Sequence, residues 1–227
     1  MQNNFIDFRS DTITQPTDAM KNFMFQASVG DDVFGEDPTI NLLEKETALR
    51  FGKEAALFCA SGTQTNQIAI NVHVQPGGEV ICNEEAHIYK YEGGGIAKNS
   101  GASVRLLQGD RGRLTPESIE LNIQPNDIHF PITQLIALED TANRGGGAVY
   151  EFETIQAIAQ LAKKNGIPLH LDGARLFNAL AVTGNTPQEV GKLFDSISVC
   201  FSKGLGAPVG SALIGSKAFI DQARRIR

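Results

Sequence analysis

The chain has 227 residues, of which 41% are apolar and 20% charged, and its formal net charge is −6. This is the composition of an ordinary globular protein, large enough for one domain or a domain and a half. A negative net charge without a basic run argues against nucleic acid or an anionic membrane as a partner, and no segment reaches the roughly 18 consecutive apolar residues of a membrane span.

The first forty residues are polar and rich in turn-forming residues, most densely between Val29 and Pro38. They predict an N-terminal arm over residues 1–40, followed by one large domain over residues 41–227. Asp37 is placed to cap a helix that begins at Pro38, since aspartate is a preferred N-cap and proline is favoured at the first helical position.

Part of the apolar face of that helix is predicted to consist of Ile40, Leu43 and Leu49, which would pack against the core. Gly52 is expected to end it, because glycine is the usual residue just past a helix C-terminus.

From residue 55 onward, apolar segments typical of strands alternate with helical segments. The predicted strands are Ala55–Cys59, Val80–Cys82, Ser103–Leu107, Gln134–Leu138, Pro168–Leu171, Ser196–Phe201 and Ser211–Ile214. The clearest predicted helices are Gln64–Val74, Pro116–Ile123, Phe152–Asn165 and Lys217–Ile226. This alternation predicts an α/β fold with a mostly parallel sheet and helices on both faces.

Ligands bind such sheets at the carboxyl ends of the strands. We therefore expect the loops after Cys59, Leu138, Leu171 and Phe201 to lie near one another.

The segment Ser61-Gly62-Thr63 follows a predicted strand and opens a helix. Free N–H groups at a helix start, together with a hydroxyl, form a site for an anion such as phosphate. The alternative is a plain turn in which Ser61 or Thr63 only caps the helix.

Asp172 ends a buried strand, and Arg175 follows three residues later. A buried carboxylate is costly unless it is paired with a cation, and a protonated pyridine ring nitrogen is one such partner. The alternatives are an Asp172–Arg175 ion pair, helix capping, or a metal site that uses His170 and Asp172 without an evident third ligand.

Lys203 follows another predicted strand and is surrounded by glycines, which would let a cofactor approach closely; Ser202 beside it offers a phosphate contact. Lysines of this kind form Schiff bases, although a surface lysine at a glycine-rich turn is the simpler interpretation. Phosphate site, carboxylate and lysine, in that chain order and each at the end of a strand, together indicate pyridoxal 5'-phosphate.

The chain resembles the threonine aldolases, or β-eliminating lyases, of the aspartate-aminotransferase-like (fold type I) enzymes from Asp7 to its last residue. The segments that carry the resemblance are Phe8–Thr12, Val29–Thr39, Ser61–Gln64, His87–Glu92, Asp127–Phe130, Leu171–Arg175 and Ser202–Gly206. Family members continue beyond the residue where this chain ends, so we expect the small C-terminal domain to be absent here.

The resemblance implies roles for individual residues. For the cofactor it implies a Schiff base on Lys203, ring-nitrogen pairing by Asp172, ring stacking by His87, and further contacts from Gly62, Thr63, Arg175 and Ser202. For the substrate it implies Ser10 and Arg175 near the carboxylate, Tyr91 in the pocket wall, and His87 and His129 near the hydroxyl. His87 and His129 are the preferred candidates for the catalytic base. No metal ligand is implied.

The implied activity is the cleavage of threonine or allo-threonine at the Cα–Cβ bond, which releases glycine and an aldehyde. The alternatives are another pyridoxal-phosphate activity on a small amino acid, such as β-elimination or racemisation, and a shortened fragment that binds the cofactor with impaired catalysis. The resemblance also implies a homodimer or homotetramer with shared sites.

We further expect a cytoplasmic protein, because Cys59, Cys82 and Cys200 are scattered and the N-terminus has no apolar signal segment.

Overall fold

The computed structural model describes residues 6–227, so the first five residues of the predicted arm lie outside the described residues. The helices are α1 (Asp18–Gln26), α2 (Pro38–Arg50), α3 (Gly62–His73), α4 (His87–Lys90), α5 (Gly95–Ser100), α6 (Pro116–Glu120), α7 (Phe152–Asn165), α8 (Leu176–Thr183), α9 (Pro187–Gly191) and α10 (Lys217–Ile226). The strands are β1 (Ala55–Cys59), β2 (Glu79–Asn83), β3 (Ser103–Leu107), β4 (Thr133–Glu139), β5 (Leu169–Gly173), β6 (Ser196–Cys200) and β7 (Ser211–Gly215).

All seven strands form one sheet in the order β1-β7-β6-β5-β4-β2-β3. The central pairings β2–β3, β2–β4, β4–β5 and β5–β6 are parallel, whereas β7 runs antiparallel to both of its neighbours. Because β1 and β6 both oppose β7, they point the same way. The prediction of a mostly parallel sheet is confirmed, and the carboxyl ends of six strands meet at one edge.

Helices cover both faces of this sheet. Along β4, Leu135 and Ala137 pack into one apolar cluster, while Ile136 and Leu138 pack into the cluster on the other face. Successive side chains of a strand point to opposite faces, so a strand covered on both sides must be apolar at nearly every position. This is why the strands read as continuous apolar segments in the sequence.

The helix predicted after Asp37 is present as α2. The Asp37 carboxylate accepts hydrogen bonds from the backbone N–H groups of Thr39 and Ile40, each at 2.9 Å. Gly52 follows the helix with a φ of 63°, in the left-handed region that favours glycine.

The predicted apolar face of α2 needs one correction, because Leu49 is 56% exposed. Ala48 is buried in the core instead. Because successive residues of a helix point roughly 100° apart, Leu49 is directed away from the core.

The bounds of two predicted elements differ in ways that affect the site. The helix predicted from Gln64 begins at Gly62, since Ser61 is its N-cap. The strand predicted as Pro168–Leu171 runs from Leu169 to Gly173 and thus includes Asp172. The boundary suggested for the arm, after residue 40, lies in the first turn of α2.

The arm contains a 3₁₀ helix at Asp11–Ile13 and the helix α1. None of the residues of α1 is buried, and Phe23 and Phe25 are 72% and 93% exposed. The arm therefore leaves apolar side chains on the surface of the single chain.

No helix formed by residues 6–227 is both long and apolar enough to cross a membrane.

Candidate active site

A cavity of about 310 Å³ lies at the carboxyl ends of the parallel strands. Its lining comes from the arm and from the segments that follow β1, β2, β5 and β6: Thr12, Ser61, Gly62, Thr63, Asn66, His87, Asp172, Ala174, Cys200, Ser202, Lys203, Pro208 and Val209. Clefts of about 670 and 570 Å³ lie at the opposite edge, beside Pro168 and Asp195. We place the candidate site in the smaller cavity because the Ser61–Thr63 turn, the buried carboxylate of Asp172 and Lys203 meet only there among the described residues.

The loops expected to meet there do so, with one exception. The segments after Cys59, Leu171 and Phe201 border the cavity. The segment after Leu138 does not line the cavity. It supports a lining residue, because the carboxylate of Glu139 accepts a hydrogen bond from the backbone N–H of His87 at 2.7 Å.

The Ser61–Thr63 turn lies at the start of α3. The Ser61 hydroxyl caps the helix by accepting a hydrogen bond from the Gln64 N–H at 3.2 Å. The N–H groups of Gly62 and Thr63 belong to the first turn, where a helix has no internal acceptors and carries partial positive charge. The cap proposed in the alternative interpretation is thus present, and it leaves the Gly62 and Thr63 N–H groups without an acceptor inside the helix.

Gly62 has a steric reason to be glycine. A Cβ atom at this position would lie 2.6 Å from the Sγ atom of Cys200, far inside van der Waals contact. The absence of a side chain lets the start of α3 pack directly against the end of β6.

Asp172 is 3% exposed and lies at the end of β5, in register with Glu139 on β4 and Ser198 on β6. Burial raises the pKa of its carboxyl to about 7, and the negative charges of Glu139 and Glu92 act in the same direction. Asn66 Nδ2 donates to its Oδ2 at 2.9 Å, and the Ala174 N–H donates to its Oδ1 at 3.2 Å. A cation brought to the cavity would relieve the cost of ionising this group.

His87 borders the cavity with about a third of its side chain exposed. Its Nδ1 lies 2.9 Å from Oε1 of the buried Glu92, a hydrogen bond that raises the pKa of the imidazole. Asn66 and Gln67 also donate to Glu92, at 2.9 and 2.6 Å. Because Nδ1 is held by Glu92, Nε2 is the nitrogen that remains for proton transfer.

Lys203 and Ser202 follow β6 and border the same cavity, as the sequence predicted. The Lys203 backbone is held by the arm, since Thr14 Oγ1 donates to its carbonyl oxygen at 2.6 Å. The positive charge of Lys203 lowers the pKa of Asp172, so the two groups already interact without a ligand.

The structure does not bring Ser10 or Arg175 to the cavity wall. Arg175 forms a two-pronged ion pair with Asp11, at 2.9 and 2.7 Å, and this pair replaces the Asp172–Arg175 contact considered from the sequence. The Ser10 hydroxyl caps the 3₁₀ helix by accepting a hydrogen bond from the Thr12 N–H at 3.2 Å. Thr12, two residues later, is the residue of the arm that borders the cavity.

Tyr91 lies next to His87, with 5.6 Å between the ring centroids, but it does not line the cavity. It is 44% exposed, and its hydroxyl accepts a hydrogen bond from Arg144. Tyr91 therefore lies outside the pocket wall that the resemblance assigned to it.

His129 is far from the other predicted site residues within this chain. It precedes β4, whose seven residues span roughly 20 Å, so it lies at the amino-end edge of the sheet. Its side chain is 80% exposed and is held by Asp127, with 2.7 Å between Nδ1 and Oδ1.

The metal alternative that used His170 finds no support. His170 is fully buried, and both of its ring nitrogens have partners, Ser196 Oγ at 2.8 Å and Asn66 Oδ1 at 3.2 Å.

Sequence reasoning missed Asp11, Asn66 and Glu92. Asp11 and Glu92 lie inside segments that carry the family resemblance, which was a usable signal for both. Asn66 lies one turn into α3, and only the packing of that helix on the sheet shows that its amide reaches Asp172 and Glu92.

Known proteins resemble this chain in both sequence and fold. The family model described as beta-eliminating lyase matches residues 7–227. A probable low-specificity L-threonine aldolase 2 of Arabidopsis thaliana is 45% identical over 226 residues, which cover 98% of this chain and 64% of that protein. A low specificity L-threonine aldolase of Escherichia coli K12 is 41% identical and is covered over 66% of its length.

Among solved structures, a threonine aldolase of Leishmania major superposes with a TM-score of 0.83 at 26% identity. The match covers 96% of this chain and 64% of that one. The chain thus spans slightly less than two thirds of the length of these relatives, and over nearly all of its own length it belongs to the beta-eliminating lyase family.

Proposed function

We propose that this chain uses pyridoxal 5'-phosphate to cleave threonine or allo-threonine at the Cα–Cβ bond, giving glycine and an aldehyde. The observation that carries the proposal is that Lys203, Asp172 and the start of α3 border one cavity. The relatives named threonine aldolases, at 41% and 45% identity, favour this reaction among those known for pyridoxal phosphate.

The residues at the cavity fit this cofactor. The N–H groups of Gly62 and Thr63, with the Ser202 hydroxyl nearby, would hold the phosphate at the positive end of α3. Asp172 is a buried carboxyl with a raised pKa, and the protonated ring nitrogen would supply the missing cation. Lys203 would provide the amine for covalent attachment.

When bound, the cofactor supplies an electron sink for the electrons released at the substrate α-carbon. Asp172 would hold the compensating positive charge in place at its carboxylate. His87 would take the proton of the substrate hydroxyl at Nε2, while Glu92 keeps Nδ1 occupied and the ring oriented. Positioned bases contribute roughly 10²–10⁴-fold to such reactions.

We propose that Thr12, not Ser10, is the contribution of the arm to the substrate pocket. Arg175 would act on substrate only after release from Asp11, so we propose for it a role in anchoring the arm beside Lys203.

The first test is to incubate the 227-residue chain with pyridoxal phosphate, reduce with borohydride and locate the pyridoxyl group by peptide mass spectrometry. A stoichiometric adduct on Lys203 supports the proposal. The matched control is Lys21→Met, an exposed lysine of the arm, which should leave labelling unchanged, whereas Lys203→Met should abolish it. Scattered labelling of surface lysines in the wild type would contradict the cofactor assignment.

The second test separates the reaction from its alternatives. Aldehyde release from threonine that exceeds pyruvate release from serine supports Cα–Cβ cleavage, and the reverse supports β-elimination. Loss of optical activity without either product indicates racemisation. A Lys203 adduct without any turnover identifies a cofactor-binding chain that needs further residues for catalysis.

We also propose that two or more copies of the chain associate. The support is helix α1, which has no buried residue and exposes the large apolar side chains of Phe23 and Phe25. Light scattering after gel filtration should give a mass of at least twice that of the chain, and Phe23→Ser with Phe25→Ser should reduce it to that of one chain. An unchanged mass in the double variant would contradict an interface at α1.

A reducing, cytoplasmic location is the remaining proposal. Its support is that Cys59, Cys82 and Cys200 are all buried free thiols, and burial raises the pKa of Cys59 and of Cys82 to about 12. Such thiols do not depend on an oxidising compartment. Unchanged thermal stability of the pure protein with and without dithiothreitol would agree with this proposal, and destabilisation by the reductant would contradict it.

A further inference from the structure

One face of the sheet carries a polar stripe directly beneath α3. His170 and Asp172 on β5, and Ser196 and Ser198 on β6, all lie on this face, whereas the apolar residues between them pack into the core on the other side. From above, Asn66 of α3 contacts both His170 and Asp172. Hydrogen bonds thus connect Ser196, through His170 and Asn66, to the buried carboxyl of Asp172.

The hydrogen-bond directions in this network follow from its acceptors. Asn66 Nδ2 lies 2.9 Å from both Asp172 Oδ2 and Glu92 Oε1, so this end of the amide is the donor. Asn66 Oδ1 must then accept from His170 Nε2 at 3.2 Å, which places the imidazole proton on Nε2. Nδ1 of His170 accordingly accepts from the Ser196 hydroxyl at 2.8 Å.

His170 is suited to hold this arrangement. It is fully buried, and burial lowers the pKa of its imidazole to about 3, so the ring is neutral at ordinary pH and keeps one tautomer. The Ser196 oxygen also lies 2.8 Å from His73 Nε2. This second contact fixes the position of the hydroxyl that donates to His170. The Asn66 amide does not readily pass a proton, so the network orients groups and does not conduct protons.

The groups that face Asp172 otherwise oppose its ionisation. Glu139 on β4 and Glu92 after α4 bring negative charge, and burial acts in the same direction; His87 and Lys203 partly offset them. A donated N–H favours the charged form of a carboxyl. Asn66 therefore supplies a fixed dipole that stabilises Asp172 as a carboxylate.

We infer that Asn66, oriented by His170, is a positioning residue that keeps Asp172 ionised and directed so that it can hold the ring nitrogen of pyridoxal phosphate in its protonated form. This inference rests on the proposed function. It adds two buried residues to the site, neither of which the sequence assigned to the reaction.

The test uses pyridoxal phosphate labelled with ¹⁵N in its ring, whose chemical shift reports protonation of that nitrogen, and an absorption titration for affinity. In Asn66→Leu the ¹⁵N signal should move toward the unprotonated position, and affinity should fall about tenfold or more, the effect of losing a hydrogen bond to a charged group. Asn66→Ala replaces this variant if the leucine does not fold.

The His170 variants test the second step. His170→Phe removes both ring nitrogens and should shift the ¹⁵N signal in the same direction as Asn66→Leu. His170→Gln keeps a donor and an acceptor and should restore the wild-type signal. A wild-type signal in His170→Phe, or a signal in His170→Gln that is shifted as far as in His170→Phe, would overturn the role of His170.

Gln67→Leu is the matched control, because Gln67 is also a buried amide of α3 and donates to Glu92, whereas only Asn66 of the two donates to Asp172. Its ¹⁵N signal should stay at the wild-type position. Equal shifts in Gln67→Leu and Asn66→Leu would show a general structural effect and overturn the inference.

Labelling of the wild-type chain separates failure of the proposed function from failure of the positioning role. If it forms no Lys203 adduct, the proposed function and this inference both fall. If it forms the adduct and Asn66→Leu keeps a wild-type ring signal, only the positioning role falls.

Discussion

Arg175 and Asp11 are 164 positions apart in the chain, yet they form a two-pronged ion pair, with Nε–Oδ2 and Nη2–Oδ1 distances of 2.9 and 2.7 Å. Their chain neighbours Ala174 and Thr12 border the cavity. The side chains are only 20% and 25% exposed. The pair ties the N-terminal arm to the residues that follow Asp172 and raises the pKa of Arg175, while it lowers that of Asp11.

Breaking this pair should detach the arm. Asp11→Ala leaves a half-buried guanidinium without its partner, and we expect the free energy of unfolding to fall by roughly 1–3 kcal/mol. Limited proteolysis should then cleave the arm faster than in the wild type. A double-mutant cycle with Arg175→Ala measures the coupling, and Asp18→Ala, at an exposed arm residue, serves as control. A coupling near zero would contradict the anchoring role.

Gly62→Ala should disturb the Ser61–Thr63 turn, for which we propose phosphate binding. The added Cβ meets Cys200 Sγ at 2.6 Å, so the start of α3 must shift, at a cost of roughly 1–3 kcal/mol in stability. Affinity for pyridoxal phosphate should also fall, and the visible absorption of the bound cofactor measures it.

The second change in this test is Cys200→Ala, which removes the sulfur and should restore part of both losses. Gly204→Ala is the control for the loss of stability, because the nearest protein atom to its added Cβ lies 3.7 Å away. Failure of Cys200→Ala to relieve Gly62→Ala would show that the clash is not the cause.

Asp172→Asn should stabilise the ligand-free chain in a pH-dependent way. The folded-state pKa of Asp172 is raised to about 7, so its contribution to stability is full below the unfolded pKa near 4 and is lost as pH rises toward 7. Asparagine removes that loss, and we expect a gain of roughly 1–3 kcal/mol at pH 8 and little gain at pH 4.

The same substitution should weaken binding of pyridoxal phosphate by at least about tenfold, since the ring nitrogen loses its anionic partner. Chemical denaturation at the two pH values and absorption titration measure both effects. A gain of equal size at pH 4 and pH 8 would rule out titration of Asp172 as the cause.

Glu92→Gln should lower the pKa of His87 toward its ordinary value of 6.5, because the hydrogen bond to Glu92 is the main cause of the rise. Because the pKa of His87 is higher in the folded state, the protonated imidazole stabilises the fold. This contribution is fully present below pH 6.5 and is lost as the pH rises through the folded-state pKa. The stability difference between wild type and variant should therefore be larger near pH 6 than near pH 9.

Proton NMR of the imidazoles measures the titration directly, since the chain has only four histidines. Glu85→Gln is the control, because Glu85 is an exposed acid close in sequence that pairs with Lys90. A His87 midpoint that responds equally to both substitutions would contradict a specific Glu92–His87 pair.

The strand–helix alternation and the mostly parallel sheet could be predicted from the sequence alone, and so could the meeting of Ser61–Thr63, Asp172 and Lys203 at one edge of that sheet. Each of these depends on a local signal. Apolar segments without alternation mark strands buried on both faces, and chemically distinctive residues at strand ends mark the binding edge of a parallel sheet.

The partners of these residues depend on the tertiary structure. His129 and His87 are both histidines in segments that carry the family resemblance, but β4 carries the chain from one edge of the sheet to the other and so separates them. Arg175 pairs with Asp11, and Asn66 joins Asp172 to Glu92 and His170, through contacts between elements far apart in the chain. Composition and spacing carry no record of such contacts, because they depend on how helices and the arm pack against the sheet.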